Sequence, residues 1–414
     1  MFINKFFENG FCYAIITGLR KNRSGLMTNN DKQFSKWVAV WGNAISTSDR
    51  LPAAYAKDIT LRYPFKSVFS GNKIRIRLSN ITGTESVKVS KIFIAKATSD
   101  SAVDTASIVP LTVEGERSFE IEAGKELLTD EVSFDVAAGE RLSVSIYFAD
   151  YTQMNAGTRI TGPISKGFYA YSDESESAEL NPIFSKAFSW VYFVSEVDIF
   201  TEEKNHALVC FGDSITAQSW PDYLAMRAWR DGFRDISVIR RAASGTRILR
   251  EYDCITYVSY GMKGEKRLHE FEVAGADRVI IQHGINDIIH PVGVELNRFR
   301  PMSDLPTAKE MADAVENLYI KKCRDLGFSV YSGTLLPIFG WRTYADFRED
   351  IKNEYNEWLR SSDKFDGCID FANVLADPSD PRRFAEGFDS GDHLHPSDKA
   401  YKAMADAVPD ELLR

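Results

Sequence analysis

Cysteine is scarce in this sequence of 414 residues, and its five copies suit neither a disulfide framework nor a metal site. They are scattered and odd in number, which disfavours a set of disulfides. They also form no Cys-x-x-Cys pair of the kind that zinc sites use. Cys210 lies in the apolar run 207–211 and is expected to be buried. We therefore expect a reducing compartment and favour a cytoplasmic location.

Basic patches and long apolar runs are missing as well. The formal net charge is −9, with no run of like charges and no basic stripe. Nucleic acids are bound largely through Lys and Arg at their phosphates, so a nucleic-acid partner is not expected. No apolar run reaches the ~20 residues that span a bilayer. A transmembrane segment is therefore not expected either.

The first residues allow two interpretations. Residues 11–19 form a short apolar run between Lys5 and Arg20 that loosely resembles a signal peptide, but no clear Ala-x-Ala cleavage site follows. Met27 begins a more natural opening. Residues 1–26 are therefore expected to be an upstream start or a poorly ordered extension. A secreted protein is the alternative if this segment acts as a signal.

The first half of the chain has the periodicity of β-strands. Residues 73–78, 87–94 and 142–148 alternate apolar and polar side chains, which is typical of strands with one face in a core. Turn signals such as Ala-Gly and Glu-Gly separate these runs. After an extension over residues 1–34, residues 35–202 therefore predict an all-β, jelly-roll-like sandwich.

The second half, residues 203–414, alternates strands with helices. The continuous apolar run 207–211 is typical of a parallel strand that is buried on both faces. Further strands are predicted over 236–239, 278–282, 328–335 and 368–371, and helices from 219, over 307–326 and 344–359, and after 396. This pattern predicts a three-layer α/β fold, which places ligands beyond the carboxyl ends of its strands.

A serine follows the first of these strands. Residues 211–216 read Phe-Gly-Asp-Ser-Ile-Thr, so a glycine allows a sharp turn and leaves Ser214 between strand and helix. Such a position exposes a hydroxyl group and aims a backbone N–H at developing negative charge. A helix N-cap serine is the alternative interpretation.

A possible base for this serine lies near the end of the chain, where residues 391–396 read Gly-Asp-His-Leu-His-Pro. A serine nucleophile needs a base, usually a histidine that a carboxylate orients. Asp392 and His395 are spaced to meet on one tight turn. The alternatives are a loop-capping role and a metal site with His393, although no other cluster completes such a site.

Two more polar segments follow predicted strands. Residues 283–287 read His-Gly-Ile-Asn-Asp, and the amide of Asn286 could donate to an oxyanion. Residues 243–246 read Ala-Ser-Gly-Thr, and Gly245 could bring its backbone N–H close to a substrate.

Together these four segments resemble the SGNH/GDSL hydrolase superfamily over residues 205–414. The family's blocks match in order: Gly-Asp-Ser at 212–214, glycine at 245, Gly-x-Asn-Asp at 284–287 and Asp-x-x-His at 392–395. The resemblance implies a flavodoxin-like serine esterase domain that needs no metal or organic cofactor.

The resemblance also implies the role of each residue. Ser214 attacks an ester carbonyl, His395 acts first as base and then as acid, and Asp392 orients His395. The backbone N–H groups of Ser214 and Gly245, with the amide of Asn286, form the oxyanion hole. One such donor stabilises the transition state by ~3–4 kcal/mol.

The neighbours of these residues allow more than one role. Asp213, His283 and Asp287 are candidates for contacts to substrate, with a structural role as the alternative that we favour for the two aspartates. The family often carries an asparagine shortly before its block glycine. Here Arg240 and Arg241 stand in that region, which departs from the pattern.

The first half resembles the β-sandwich that precedes the catalytic domain in a bacterial subset of GDSL hydrolases. The resemblance rests on residues 37–41, 60–62 and 71–80. Because such families include carbohydrate deacetylases, we expect a carboxylic-ester hydrolase that removes short acyl groups from a small-molecule or oligosaccharide ester. Residues 289–306 are expected to form a loop over the site that sets specificity. The alternatives are a lipase or lysophospholipase and a non-catalytic carbohydrate-binding protein on a hydrolase scaffold.

Overall fold

The computed structural model describes residues 34–45, 55–181, 185–252 and 261–414. All of them lie in one unit of the chain, Gln33–Arg414. The predicted extension over residues 1–26 lies outside the described residues, as does Cys254. No helix in the described ranges is long and apolar enough to cross a membrane.

The first half of the described chain is built almost entirely of β-strands, as predicted. Its one helical segment in the described part is a 3-10 turn, Thr105–Ser107. The strands are β1 (Phe34–Gly42), β2 (Tyr55–Ala56), β3 (Ile59–Lys66), β4 (Gly71–Ser79), β5 (Val87–Val89), β6 (Lys91–Lys96), β7 (Val109–Pro110), β8 (Phe119–Ile121), β9 (Glu126–Leu128), β10 (Val132–Val136), β11 (Arg141–Phe148), β12 (Thr152–Gln153), β13 (Gly157–Arg159), β14 (Gly167–Ala170), β15 (Ser185–Phe188), β16 (Trp190–Tyr192) and β17 (Val194–Glu202).

Two antiparallel sheets dominate this region. One has the strand order β1-β17-β4-β10, with β9 also paired to β4, and the other has the order β15-β14-β3-β11-β6-β7. Rings from the two sheets meet between them. Trp41 of β1 stacks on Tyr63 of β3 at a centroid distance of 6.3 Å, and Trp41 also lies 6.0 Å from Phe65. The two sheets therefore share a core, as a β-sandwich requires.

One strand prediction in this region needs correction. The alternation predicts a single strand over residues 87–94, but β5 pairs with β8 whereas β6 pairs with β11. The break falls at Ser90, whose N–H donates to the Tyr147 carbonyl at 3.0 Å. Its hydroxyl accepts from the Ala149 N–H at 3.1 Å. The alternation also breaks at this point, because Ser90 and Lys91 are both polar and residues 92–94 are all apolar. The sequence therefore carries a signal for the end of the first strand.

The second half alternates strands with helices. Its elements are β18 (His206–Gly212), α1 (Ser214–Ala217), α2 (Trp220–Asp231), β19 (Ile236–Ala242), β20 (Ala276–Gln282), α3 (Ile285–Ile289), α4 (Ala308–Ala314), α5 (Lys321–Asp325), β21 (Ser329–Gly333), α6 (Asp346–Ser361), β22 (Gly367–Ile369), α7 (Phe371–Leu375), β23 (Ala376–Asp377), β24 (Asp380–Phe384) and α8 (Asp398–Ala407). The 3-10 helices are Gly264–Phe271, Met302–Asp304 and Asp410–Leu413, and Val315–Ile320 is π-helical.

The central sheet of this half is parallel, with strand order β19-β18-β20-β21-β22. Every residue of β18 is buried, Cys210 included, which fits its continuous apolar run. In chain order the strands read 2-1-3-4-5, the flavodoxin-like arrangement that was predicted. Ligands of such sheets bind where the order reverses, here beyond the carboxyl ends of β18 and β20.

The predicted helix over residues 307–326 forms as α4, the π-helical stretch and α5 in succession. Thr307 caps it: its hydroxyl accepts from the Glu310 N–H at 3.2 Å. The Glu310 carboxylate in turn accepts a hydrogen bond from the Thr307 N–H at 2.8 Å. This reciprocal capping box fixes the start of the helix.

The two halves pack directly on each other through β1 and β19. The Ala39 N–H donates to the Ala274 carbonyl at 2.9 Å, and the Ser237 hydroxyl donates to the Ala39 carbonyl at 2.5 Å. A side chain at Gly275 would lie 2.7 Å from Val38, so this close approach needs glycine. The predicted domain boundary between residues 202 and 203 falls in the link from β17 to β18 and stays a prediction.

Candidate active site

Ser214 lies at the carboxyl edge of the parallel sheet, where β18 gives way to α1. A Cβ atom on Gly212 would lie 2.4 Å from the Gln282 carbonyl oxygen, so the chain can make this turn only with glycine. Asp213 caps α1 by accepting the Ile215 N–H at 3.1 Å. These two neighbours fix the direction in which Ser214 leaves the sheet.

A chain of hydrogen bonds joins Ser214 to the turn near the end of the sequence. The Ser214 Oγ lies 2.8 Å from His395 Nε2, and His395 Nδ1 lies 2.6 Å from Asp392 Oδ2. Because an ionised carboxylate only accepts, the Nδ1 atom carries the proton in the neutral ring. Nε2 is then free to accept the serine proton.

Asp392 is held as an ionised carboxylate. Burial acts to raise its pKa, but the hydrogen bonds from the His395 ring and from the backbone outweigh this and keep the pKa far below 3.8. The backbone donors are the N–H groups of Leu394 at 3.0 Å and of His395 at 2.8 Å. Such a carboxylate orients an imidazole and stabilises its protonated form.

A second aspartate–histidine pair holds the same turn. His393 adopts a positive φ of 63°, and its Nδ1 lies 2.5 Å from Asp389 Oδ2. The other oxygen of Asp389 accepts the backbone N–H groups of Gly391 at 2.7 Å and His393 at 3.0 Å. The His393 ring packs so closely on Gly340 that a Cβ there would lie 2.8 Å from it. From the sequence, the role open to His393 was that of a metal ligand. In the described part of the chain, no group of three or more histidine, cysteine or acidic residues could hold a metal.

The other two candidate oxyanion donors line the same cavity as Ser214. Gly245 has a φ of 79°, a conformation that favours glycine. Asn286 donates one amide hydrogen to the Thr246 carbonyl at 3.0 Å. An asparagine amide has two hydrogens, so the second is available for a substrate oxygen.

A buried arginine connects the loops that carry these groups. Arg267 is fully buried and donates to the Gly212 carbonyl at 3.0 Å and to the Thr246 hydroxyl at 2.8 Å. Its charge is paired with Glu270 at 2.8 Å. No sequence signal pointed to Arg267, because it lies in a 3-10 helix outside the four blocks, and its contacts with Gly212 and Thr246 join residues that are distant in sequence.

The three candidates for substrate contact lie behind the cavity wall. Asp213, His283 and Asp287 are at most 4% exposed. Asp287 accepts the N–H groups of Ile248 at 2.8 Å and Leu249 at 2.9 Å, and so holds the loop after Gly245. These contacts are those of structural residues.

Burial governs the protonation of these three residues. It raises the pKa of Asp213 and that of Asp287 to about 6, and it lowers the pKa of His283 well below 6.5. His283 is therefore neutral at pH 7. It lies between the Thr246 hydroxyl at 3.1 Å and the Tyr319 hydroxyl at 3.0 Å.

The cavity at this edge has a volume of about 450 Å³. Its lining includes Ser214, Asp392 and His395 together with residues to which the sequence assigned no role. These are Arg159 and Thr161 from the first half, Gln218 and Ser244, Trp341 and Arg342 after β21, and Ser390 and Leu394. From the segment 289–306, predicted to cover the site, Ile289 and His290 line it. A second cavity of about 320 Å³, between β1, β3 and α2, contains none of the candidate catalytic residues.

The two arginines that depart from the family pattern tie the halves of the molecule together. Arg240 is paired with Asp222 in its own half and donates to the Ser165 hydroxyl in the first half at 2.9 Å. Arg241 is paired with Glu196 of β17 and donates to the Asn43 carbonyl at 2.8 Å. Their side chains therefore serve docking rather than the cavity.

Residues 208–408 match the family model described as GDSL-like lipase/acylhydrolase. This match confirms the resemblance seen in the sequence and the expectation of an ester-cleaving hydrolase. The comparison with curated proteins finds no match.

Similar solved structures cover about half of this chain. A protein described as an acylhydrolase from Bacteroides fragilis is 14% identical, with 51% of this chain and 90% of that chain covered and a TM-score of 0.37. A member of the lipolytic G-D-S-L family from Veillonella parvula is 16% identical, with 49% and 95% covered and a TM-score of 0.33. An acetylxylan esterase from Geobacillus stearothermophilus is 15% identical, with 49% and 91% covered and a TM-score of 0.35.

Proposed function

We propose that this chain, whose residues 208–408 belong to the GDSL-like lipase/acylhydrolase family, hydrolyses carboxylic esters through an acyl-enzyme on Ser214. One observation carries the proposal: the unbroken hydrogen-bond chain from Ser214 through His395 to Asp392, with distances of 2.8 and 2.6 Å. Gly245 and Asn286 line the same cavity and supply donors for the oxyanion.

The first half of the reaction acylates the enzyme. His395 Nε2 takes the proton of the Ser214 hydroxyl as Oγ attacks the carbonyl carbon, and the C=O electron pair moves onto oxygen. The N–H groups of Ser214 and Gly245 and the free amide hydrogen of Asn286 stabilise that oxyanion. When the intermediate collapses, the C–O bond to the alcohol breaks and His395 returns the proton to the leaving oxygen.

The second half regenerates the enzyme. A water oxygen attacks the acyl carbon while His395 accepts a proton from that water molecule. Collapse of the second intermediate breaks the bond to Ser214 Oγ, which regains the proton, and releases the carboxylic acid. Throughout, the Asp392 carboxylate stabilises the positive charge on the imidazole without taking its proton.

The cavity favours a short acyl group. Most of its lining side chains are polar or charged, and the apolar ones in the described lining are Ile289, Trp341 and Leu394. A long acyl chain would leave much of its apolar surface unburied there and would forgo the roughly 0.8 kcal/mol that burial of each CH2 group contributes. We therefore propose acetyl esters of a small molecule or an oligosaccharide as substrates.

The test compares p-nitrophenyl acetate with the octanoate and decanoate, in wild type and in Ser214→Ala. The acetate is expected to turn over fastest, and Ser214→Ala should lower kcat by at least about a thousandfold. Ser244→Ala removes another hydroxyl from the same cavity and is the matched control, which should keep most of the activity.

Equal activity in wild type and Ser214→Ala would contradict the proposed mechanism. Faster turnover of the decanoate would indicate a lipase-type acylhydrolase instead. An acetylated oligosaccharide that binds without any turnover would favour a non-catalytic binding protein.

A further inference from the structure

Two arginines from distant parts of the chain line the cavity that contains Ser214. Arg159 is the last residue of β13 in the first half, and Arg342 follows β21 in the second. Both side chains are exposed. An arginine is charged at every pH of interest, so the cavity carries two fixed positive charges.

Neither guanidinium group is paired with a carboxylate in the part of the chain that the structure describes. Exposed arginines elsewhere commonly are: Arg382 lies 2.8 Å from Asp380, and Arg360 lies 2.9 Å from Asp370. The contrast matters because the chain as a whole has a net charge of −9, so carboxylates are plentiful on its surface.

The cavity lining supplies no available carboxylate to neutralise the two arginines. Asp392 is the one carboxylate among the described lining residues. Its oxygens already accept from His395 Nδ1 and from the backbone N–H groups of Leu394 and His395. A negative group would therefore have to come from a ligand.

Local structure also restrains the Arg342 side chain and the Arg159 backbone. The Arg342 guanidinium lies over the Trp341 ring, 4.6 Å from its centroid. A stacked guanidinium keeps its in-plane N–H donors available for a carboxylate. The backbone of Arg159 is fixed opposite Trp190 in the pair of strands β13 and β16.

We propose that the cavity takes esters whose alcohol part carries a carboxylate, such as the acetyl ester of a uronic acid, and that Arg159 and Arg342 determine this specificity. The inference rests on the proposed function. An acetyl group occupies only a small part of a cavity of about 450 Å³, so the remaining space and its charges face the alcohol. The first half of the chain thereby contributes to substrate choice.

The experiment compares two esters that differ in one charge, 4-acetoxybenzoate and methyl 4-acetoxybenzoate. In the variant Arg159→Gln/Arg342→Gln, kcat/KM for the anionic ester should fall roughly tenfold to a hundredfold, as lost hydrogen bonds between charged groups predict. The value for the methyl ester should stay the same. For wild type, kcat/KM of the anionic ester should also fall as salt is added, because ions screen exposed charges.

The matched control is Arg117→Gln, which removes an exposed arginine that is not part of the cavity lining. It should leave both esters unaffected. Thermal unfolding of each variant confirms that folding is preserved.

Two outcomes would overturn the inference. One is an equal loss for both esters in the double variant, and the other is an unchanged preference for the anionic ester when both arginines are gone. If wild type hydrolyses neither ester nor p-nitrophenyl acetate, the proposed function itself fails. Hydrolysis of p-nitrophenyl acetate without sensitivity to the arginines removes the inference alone.

Discussion

Each half of the molecule buries an arginine completely, and the two arginines serve different ends. Arg62 in β3 and Arg267 in the second half are both 0% exposed. Arg62 donates to the carbonyls of Ser101 at 2.8 Å, Glu174 at 2.8 Å and Ser177 at 2.9 Å. All of these acceptors are neutral, and burial lowers the pKa of Arg62 to about 10.

Arg267 has a charged partner and a different set of neighbours. Its pairing with Glu270 compensates its charge, and its other donors reach the loops that carry Ser214 and Gly245. Arg62 therefore attaches surface loops to a sheet, whereas Arg267 fixes the edge where the chemistry is proposed. The acceptors around a buried arginine, more than its burial, indicate what it does.

Removal of Arg267 should have the largest effect. Arg267→Met removes a charged partner of the buried Glu270 carboxylate, which costs about 3–5 kcal/mol of unfolding free energy. Loss of its bonds to Gly212 and Thr246 should also lower kcat roughly a hundredfold, because displacements of about 1 Å have that effect. Chemical denaturation and esterase kinetics, normalised to titrated active sites, measure the two effects.

Arg62→Met is the control from the other half. It removes the side-chain donor from the partly buried carbonyls of Ser101 and Ser177, so stability should fall while kcat per active site stays unchanged. Equal losses of kcat in Arg267→Met and Arg62→Met would contradict the different roles given to the two arginines. If Arg267→Met does not fold, Arg267→Lys, which keeps the charge, allows the same measurement.

The next effect concerns the buried carboxylate of Asp213. Its pKa of about 6 exceeds the ordinary 3.8, so the folded state binds a proton more tightly than the unfolded state. Stability therefore falls as pH rises from 3.8 to 6 and remains lower above pH 6. The difference between a pKa of about 6 and one of 3.8 corresponds to about 3 kcal/mol.

Asp213→Asn should remove this dependence. The asparagine Oδ1 atom can still accept the Ile215 N–H, so the difference in stability between variant and wild type should grow by about 2–3 kcal/mol from pH 4 to pH 7. Urea denaturation across that range measures it. Asp135→Asn changes an exposed aspartate in the first half and should show no such growth. If the difference in stability between Asp213→Asn and wild type stays constant across this pH range, the carboxylate does not titrate as described.

The smallest predicted effect is on kcat, and it should differ between alanine variants of two glycines with positive φ. Gly340 has a φ of 99° and contacts the His393 ring, whereas Gly124 in the first half has a φ of 71° and open space around it. Alanine at either position should cost roughly 1–2 kcal/mol, the penalty of a left-handed residue. Only Gly340→Ala should also lower kcat, because it displaces the turn that carries Asp392 and His395. An unchanged kcat in Gly340→Ala would show that the His393 contact does not position that turn.

Local sequence signals predicted much of this arrangement. The glycine before Ser214, the spacing of Asp392 and His395, and the alternation of strands and helices are all properties of neighbouring residues. They led to the flavodoxin-like fold, and the four sequence blocks meet around one cavity. Their catalytic roles stay a prediction until the kinetic tests are done.

Contacts between distant residues were beyond reach of the sequence. Nothing near Arg159 indicates that it lines the cavity of Ser214, and nothing near Arg267 indicates that it bonds to Gly212 and Thr246. Each is brought there by an element from another part of the chain. The break at Ser90 is different, because two successive polar residues, Ser90 and Lys91, mark it in the sequence.

The pairing of Arg241 with Glu196 has a consequence for protein engineering. Adjacent residues on β19 hold two different partners, Asp222 in the same half and Glu196 in the other. A catalytic fragment cut out before β18 would expose an apolar face and leave one guanidinium group without its counter-ion. A graft of a foreign β-region would have to reproduce that carboxylate in place. We therefore expect that a hydrolase domain moved into another protein has to be moved together with the β-region.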